Sequence, residues 1–243
     1  VQSMTYLSSF QAISALGAKP IPCDINEDFT ISLEDAQKKI SKKTKAIMLV
    51  HVLGNTCNMD IIMRIKKKYN LFLIEDTCES LGSTYNNKYL GTFGKFGSYS
   101  FYVSHQLIAG EGGMLVCNNS EDYKIAHTLR AHGWDRGLKR KQNTEFNFIN
   151  SGFNLRPLDL TAAIGLSQFK RLKQSIKTRT YNRNKIINSI LNSEKWNNQL
   201  SFLEPQEKLK PSWFGIPILL NKRLIKFKRQ YLKQLNNNGI ETR

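Results

Sequence analysis

LFLIEDTCESLGSTYNNKYLGTFGKFGSYSFYVSHQLIAGEGGMLV, residues 71–116, decides the fold. It opens on LFLIED (71–76), a continuous apolar run that ends in two carboxylates. Such a run reads as a strand buried on both faces, the habit of parallel sheets. An extended stretch, YLGTFG (89–94), precedes the strands SYSFYV (98–103) and GMLVCN (113–118). A Gly-Glu-Gly-Gly hinge (110–113) joins those two strands, and glycines there are often only a turn.

The same alternation runs outward from this stretch. Upstream, a helix over 6–16 ends at Gly17, PIPCDI (20–25) reads as a short strand, and SLEDAQKKI (32–40) reads as a helix capped by Ser32. KAIMLVHV (45–52) is a second buried strand, and MDIIMRIKKKY (59–69) is an amphipathic helix. Downstream come a helix over 121–131, a loop of roughly 20 residues containing KRKQNTEFNF (139–148), and a long helix over about 158–193. SWFGIPILL (212–220) and the basic helix RLIKFKRQYLKQLNN (223–237) begin a second α+β unit. This order predicts an α/β fold with a mixed, mostly parallel sheet flanked by helices. The division expected is a large domain over 1–175, and over 176–243 part of the long helix with the start of a smaller C-terminal domain. The chain reads as a piece of a longer protein.

Composition narrows the function classes. With 40% hydrophobic and 23% charged residues in 243, the chain can bury a core and is not disordered. No apolar run approaches the roughly 20 residues of a membrane helix. A net charge of +17 raises the question of nucleic acid. The basic residues are mostly lysines scattered over helices, with no nucleic-acid motif among them. The expectation is solvated helix faces and no nucleic-acid partner, on a surface suited to an anionic, nucleotide-linked substrate. Cys23, Cys57, Cys78 and Cys117 form no Cys-x-x-Cys pair. Free thiols in a reducing cytoplasm are expected, with no cysteine-bound metal or cluster.

Ligands of such sheets bind at the carboxyl ends of strands. Those ends carry Glu75–Asp76, His51 with Gly54–Asn55, and Ser104–His105. Each is weak alone. A carboxylate after an apolar strand is as often a loop cap, and His51 reads equally as core packing or as a site residue. Together, and in this order, they resemble the DegT/StrS family of pyridoxal-phosphate-dependent sugar aminotransferases. The shared pattern is the Glu-Asp pair, GTFG, the Ser-Phe strand and GEGG, together with SMTYLSS (3–9), GFNLRPLDLTAAIG (152–165) and NNGIETR (237–243). The resemblance implies the type I fold of these enzymes and a homodimer with shared active sites.

It also implies residue roles. Asp76 corresponds to the aspartate that pairs with the cofactor's pyridine nitrogen and keeps it protonated. Glu79 takes a position usually Gln or His near the ring hydroxyl, Ser100 that of a phosphate-binding serine, and Tyr6 that of an aromatic stacked on the ring. Asn154 corresponds to an asparagine reaching the phosphate in the partner subunit. For Ser100 and Tyr6, packing is the reading without the resemblance. A phosphate-binding helix start belongs upstream of Val1.

The family's covalent lysine falls on His105, and no one-residue slip rescues it, since Ser104 and Gln106 flank it. Lys95 belongs to a different turn. Histidine cannot hold the cofactor covalently, but it can carry a proton near neutral pH. That substitution resembles a small branch of the family, the nucleotide-sugar 3-dehydratases, and the GDP-linked type better than the cluster-bearing CDP-linked one. HVLGN (51–55) and the terminal GIETR also fit that branch, whose strand continues with two histidines; here Gln106 follows His105. The resemblance implies pyridoxal 5'-phosphate alternating with pyridoxamine 5'-phosphate, L-glutamate as amine donor, and a nucleotide-linked 4-keto-6-deoxy sugar losing its 3-hydroxyl with His105 as base. The alternatives are a sugar aminotransferase and a catalytically inactive family member. His127 reads as structural. His132 reads as a loop residue, with Trp134 and Arg136 beside it as possible substrate contacts.

Overall fold

The computed structural model describes residues 1–138 and 146–242. Most of the basic part of the KRKQNTEFNF loop and the terminal Arg243 lie outside these residues. In chain order the elements are α1 (Leu7–Ala15), α2 (Leu33–Lys39), β1 (Ala46–Val50), α3 (Met59–Lys68), β2 (Phe72–Asp76), β3 (Thr84–Tyr85), β4 (Lys88–Tyr89), β5 (Phe96–Ser100), β6 (Gly113–Cys117), α4 (Ser120–Leu129), α5 (Asp159–Leu191), β7 (Leu200–Phe202), β8 (Leu209–Lys210), β9 (Ile218–Leu220) and α6 (Lys228–Asn237).

The main sheet has the order β1-β2-β5-β6. β1, β2 and β5 run parallel and β6 returns antiparallel along the edge. The two apolar runs read from the sequence are thus neighbours, Leu49 opposite Glu75 and Val50 opposite Asp76. Helix α3 lays Met59, Ile62 and Ile65 against the sheet at helical spacing. They join Ile47, Leu49, Leu71, Leu73, Tyr85 and Leu90 in one buried cluster. Three helices start at polar caps: Ser32 accepts from the Asp35 amide, Asn58 from Ile61 and Asn119 from Asp122. β3 and β4 form a two-residue hairpin in which Asn86 and Asn87 both take positive φ, 49° and 61°, as the tightest hairpin turns require.

Three expectations change. PIPCDI is not a strand: only Cys23 and Ile25 make single bridges, to Gln2 and Ile31, because its two prolines remove ladder donors. The strand SYSFYV ends at Ser100, where the chain turns out toward Gly110. The basic helix begins with 3₁₀ turns over Lys222–Phe227 before α6. The expected division at 175/176 falls within α5, and β8 pairs with β3, so the C-terminal segment is fastened to the first unit.

Candidate active site

The parallel strands β1, β2 and β5 end at one edge of the sheet, and the loops that follow them are bonded to one another. Asp76 closes β2. Its Oδ2 accepts from the Ser9 hydroxyl at 2.8 Å and its Oδ1 from the Cys78 amide at 3.2 Å. Ser9 is 2% exposed and itself accepts from the Thr5 hydroxyl, 2.8 Å away. The first turn of α1, which Tyr6 caps, is therefore pinned beside the Asp76 carboxylate, while the Tyr6 ring stands 82% exposed. Burial, then the nearby Asp76 charge, pushes the Cys78 thiol up to about 12.

Glu75 has a different task. It is fully buried, and its carboxylate accepts four hydrogen bonds. Oε1 takes His51 Nε2 (3.0 Å) and the Gly91 amide (2.7 Å); Oε2 takes the Phe93 (2.7 Å) and Gly94 (2.5 Å) amides. Burial pushes the carboxyl up, but the His51 hydrogen bond and charge, with the Gly94 and Gly91 amides, outweigh it and hold Glu75 below its ordinary range. The GTFG turn is thus a cradle of backbone donors for a buried anion. Gly97, opposite Glu75 in the sheet, must be glycine here, since a Cβ would stand 2.0 Å from the Gly91 carbonyl oxygen. His51, equally buried, bonds Thr56 Oγ1 through Nδ1 at 2.8 Å. Its backbone N–H donates to the Asp76 carbonyl and its carbonyl accepts from Ser80. It serves the frame under Asp76 rather than the open edge.

His105 lies five residues past β5, in a turn closed by its own N–H on the Tyr102 carbonyl. Its ring meets Tyr102 edge-on at 6.1 Å and Phe214 at 5.2 Å. The next residue, Gln106, is buried and donates to the Glu79 carbonyl and, at 3.2 Å, to the Ser212 hydroxyl. Glu79, three residues past Asp76, accepts the Leu53 amide on its own carboxylate at 2.8 Å. The loops after β1, β2 and β5 are joined by these bonds. Ser100 ends β5, its hydroxyl accepting from the Tyr102 amide at 3.3 Å.

Asn154 lies elsewhere: exposed, it bridges Ala131 in the segment after α4. His127 is structural, its Nε2 bonded to the Arg136 carbonyl at 2.9 Å. His132 is exposed at a positive φ of 60°, Trp134 stacks on Phe146, and the Arg136 guanidinium lies over the Trp134 ring, 5.1 Å from its centroid. Ser9, Glu75, Ser212 and Phe214 were not read from the sequence as site residues. For Glu75 a signal existed: a buried carboxylate needs donors, and the glycine-rich turn that begins 16 residues on supplies three of them.

The arrangement presents a fixed carboxylate, a hydroxyl and an imidazole on one strand edge, and the sequence of residues 1–243 matches the DegT/DnrJ/EryC1/StrS aminotransferase family throughout. The chain belongs to that family. Among family members, it is 33% identical over 256 residues to GDP-4-keto-6-deoxy-D-mannose 3-dehydratase of Escherichia coli O55:H7 (strain CB9615 / EPEC), a match covering 100% of this chain and 64% of that protein. It is 38% identical over 201 residues to GDP-perosamine synthase of Escherichia coli O157:H7, covering 80% of this chain and 53% of that one. The solved structure of the E. coli GDP-4-keto-6-deoxy-D-mannose-3-dehydratase with bound hydrated PLP superposes with a TM-score of 0.87 at 32% identity, over 100% of this chain and 64% of that one. The fold is that of the pyridoxal-phosphate aminotransferase proteins: α/β, with a mixed sheet between helices. The chain spans 64% of the length of the dehydratase relative and of its solved structure, and its match covers 53% of the perosamine synthase. All four cysteines are free thiols. Among the described residues no helix is long and apolar enough to cross a membrane, and no group of three or more His, Cys, Asp or Glu is placed to hold a metal.

Proposed function

We propose that the protein is a nucleotide-sugar 3-dehydratase that uses pyridoxal and pyridoxamine phosphate, with His105 as its base. The observation that carries this is the residue at position 105 together with the place of the lysine nearest to it in sequence. Lys95 precedes β5, at the end of the strand opposite to His105, and is held at 2.7 Å by Asp122 of α4. It is not available to replace the family's covalent lysine.

The donor set fits the cofactor. Asp76, held on both oxygens by Ser9 and Cys78, would face the pyridine nitrogen; Glu79 would lie near the ring hydroxyl, Ser100 at the phosphate and Tyr6 over the ring. When bound, the cofactor supplies an electron sink and an amine that can attach to the sugar's keto group. Asp76 would pair with the ring nitrogen and favour its protonated form. His105 takes a proton and returns it, work worth roughly 10²–10⁴-fold in rate. With histidine rather than lysine at position 105, that position offers no amine to recapture the cofactor, and the nitrogen would be released as ammonia.

The balance is complete. The sugar's C3–O bond is replaced by C3–H, a two-electron reduction, and L-glutamate is oxidised to 2-oxoglutarate with release of ammonia. The substrate class is a nucleotide-linked 4-keto-6-deoxyhexose, and GDP-4-keto-6-deoxymannose is the first candidate because two curated relatives carry that substrate in their names. A homodimer with shared sites is part of the proposal, Asn154 reaching the partner's phosphate. The exposed Met114 and Leu115 on β6 and Leu160, Leu166 and Phe169 on α5 support it, since so many open apolar side chains call for a cover. Sugar amination is the second reading, favoured by the 38% identity to a perosamine synthase.

The test uses the full-length protein with L-glutamate and the GDP sugar. Ammonia formed one-for-one with a sugar lacking an oxygen, and lost in His105→Asn, is expected. A His105→Asn variant that still deoxygenates the sugar at the wild-type rate overturns the assignment.

A further inference from the structure

The residue after His105 and the segment 212–214 have no role in the chemistry above, yet both converge on it. Segment 212–214 follows β8, more than 100 positions from His105 in sequence. It is held from three sides. Arg179 of α5 donates to the carbonyls of Trp213 and Phe214, at 3.4 and 3.1 Å. The buried Arg183 guanidinium stacks on the Trp213 ring at 4.1 Å and donates to Leu203 and Glu204. The Phe214 amide donates to the Leu53 carbonyl at 3.1 Å. Trp213 takes a positive φ of 34°, unusual for so bulky a residue, and it passes so close to Gly54 that a Cβ there would lie 2.8 Å from the Trp213 nitrogen.

This strap delivers two groups to the His105 loop. Ser212 Oγ accepts from Gln106, then donates to Ser83 Oγ at 3.0 Å, and Ser83 donates to the Gly54 carbonyl at 3.0 Å. The chain of donors is consistent at every atom, and Ser83 and Ser212 are fully buried. Phe214 places its ring 5.2 Å from the His105 ring, tilted by 49°. Backbone and ring of position 105 are therefore set by different contacts: Gln106 ties the loop to Glu79 and Ser212, and Phe214 limits the swing of the imidazole.

We propose that Gln106 and Phe214 are positioning residues that hold the His105 imidazole in the orientation from which it moves a proton. The proposal rests on His105 being the base. Neither residue touches the reacting atoms; both act through His105. Glutamine suits position 106 because its amide gives two donors to two acceptors, the Glu79 carbonyl and Ser212, which leucine cannot do.

The test uses the full-length holoenzyme and four variants: His105→Asn, Gln106→Leu, Phe214→Leu and Phe214→Tyr. Steady-state kinetics are paired with NMR of the His105 ring in the cofactor-free protein, assigned by its loss in His105→Asn. Misplacing a reacting group by about 1 Å can cost about 10²-fold in rate. Gln106→Leu and Phe214→Leu are expected to lower kcat by about that factor with KM for the sugar little changed. Both are expected to move the His105 ring resonances, the second by removing a neighbouring ring current. Phe214→Tyr restores both readouts to near wild type. If Gln106→Leu does not fold, Ser212→Ala, which removes one of the two Gln106 acceptors, is read in its place with the same expected direction. Unchanged kcat and resonances in the Gln106 and Phe214 variants, with activity lost in His105→Asn, overturn the positioning role and leave the base assignment standing. Activity kept in His105→Asn overturns the base assignment itself.

Discussion

Glu75→Gln isolates the frame beneath the site. The wild-type carboxylate accepts from His51 and from the amides of Gly91, Phe93 and Gly94, all out of water. Glutamine keeps one acceptor oxygen and turns an NH₂ toward two donors. Two N–H groups lose their partner, at about 1–3 kcal/mol each. Breaking one side of a buried charged pair costs about 3–5 kcal/mol by direct comparison, which agrees. A loss of about 3–5 kcal/mol is a large share of the roughly 5–15 kcal/mol that holds a domain folded. Urea unfolding of wild type and variant, followed by far-ultraviolet circular dichroism, reads this difference. The pH dependence has a definite sign. The Glu75 carboxyl is depressed below its ordinary 4.5 in the folded chain, so its contribution is complete above that value and is lost as pH falls through the depressed one. The gap between wild type and Glu75→Gln therefore narrows in acid. A difference under about 1 kcal/mol at pH 7, or a gap that widens in acid, would show that Glu75 does not carry the GTFG turn as a buried anion.

Three further outcomes follow from the same geometry. Gly97→Ala drives a Cβ to 2.0 Å from the Gly91 carbonyl and should cost at least about 1–3 kcal/mol. Gly17→Ala, at φ +71° in open space, should cost only about 1 kcal/mol; equal losses in thermal unfolding would contradict this. Cys57 and Cys78 both have thiols pushed up to about 12 by burial, against 9.0 for an open thiol, so each should react with iodoacetamide at pH 8 far more slowly in the folded chain than in urea. Comparable rates, read by peptide mass spectrometry, would contradict it. Asp76→Asn removes a charge-assisted partner worth about 1.5–3 kcal/mol, and should weaken pyridoxal phosphate binding by roughly 10- to 10²-fold, measured by absorbance titration; unchanged affinity would remove Asp76 from the cofactor site.

The sheet was legible because β1 and β2 lie in continuous apolar runs, AIMLV and LFLIED, whose burial needs neighbours on both sides. PIPCDI misled because its apolar residues alternate like a strand's, while Pro20 and Pro22 cannot donate to a ladder. Asp76 was legible as a strand-end residue, since order along the chain maps onto one edge of a parallel sheet, whereas Ser100 was named only through the family resemblance, and the strand read as ending near Ser104–His105 stops at Ser100. Glu75 was passed over because a carboxylate beside a site residue draws attention to its neighbour. Its four donors come from two separate stretches, His51 after β1 and the GTFG turn, that only the fold brings together. Ser212 and Phe214 carried no local sign at all. SWFGIPILL reads as an apolar run, but only Ile218–Leu220 pairs as a strand, and the rest is a strap whose contacts with Gln106 and His105 span over 100 residues. Long-range packing of that kind leaves no periodicity to read.

The most direct measurement follows the nitrogen. The full-length protein is incubated with pyridoxal phosphate, ¹⁵N-labelled L-glutamate and GDP-4-keto-6-deoxymannose, and the sugar and the ammonia are analysed by mass spectrometry. Histidine at position 105 predicts ¹⁵N in ammonia and a sugar that has lost one oxygen and gained no nitrogen. A sugar that retains its 3-oxygen and carries the ¹⁵N would make this an aminotransferase and contradict the role given to His105.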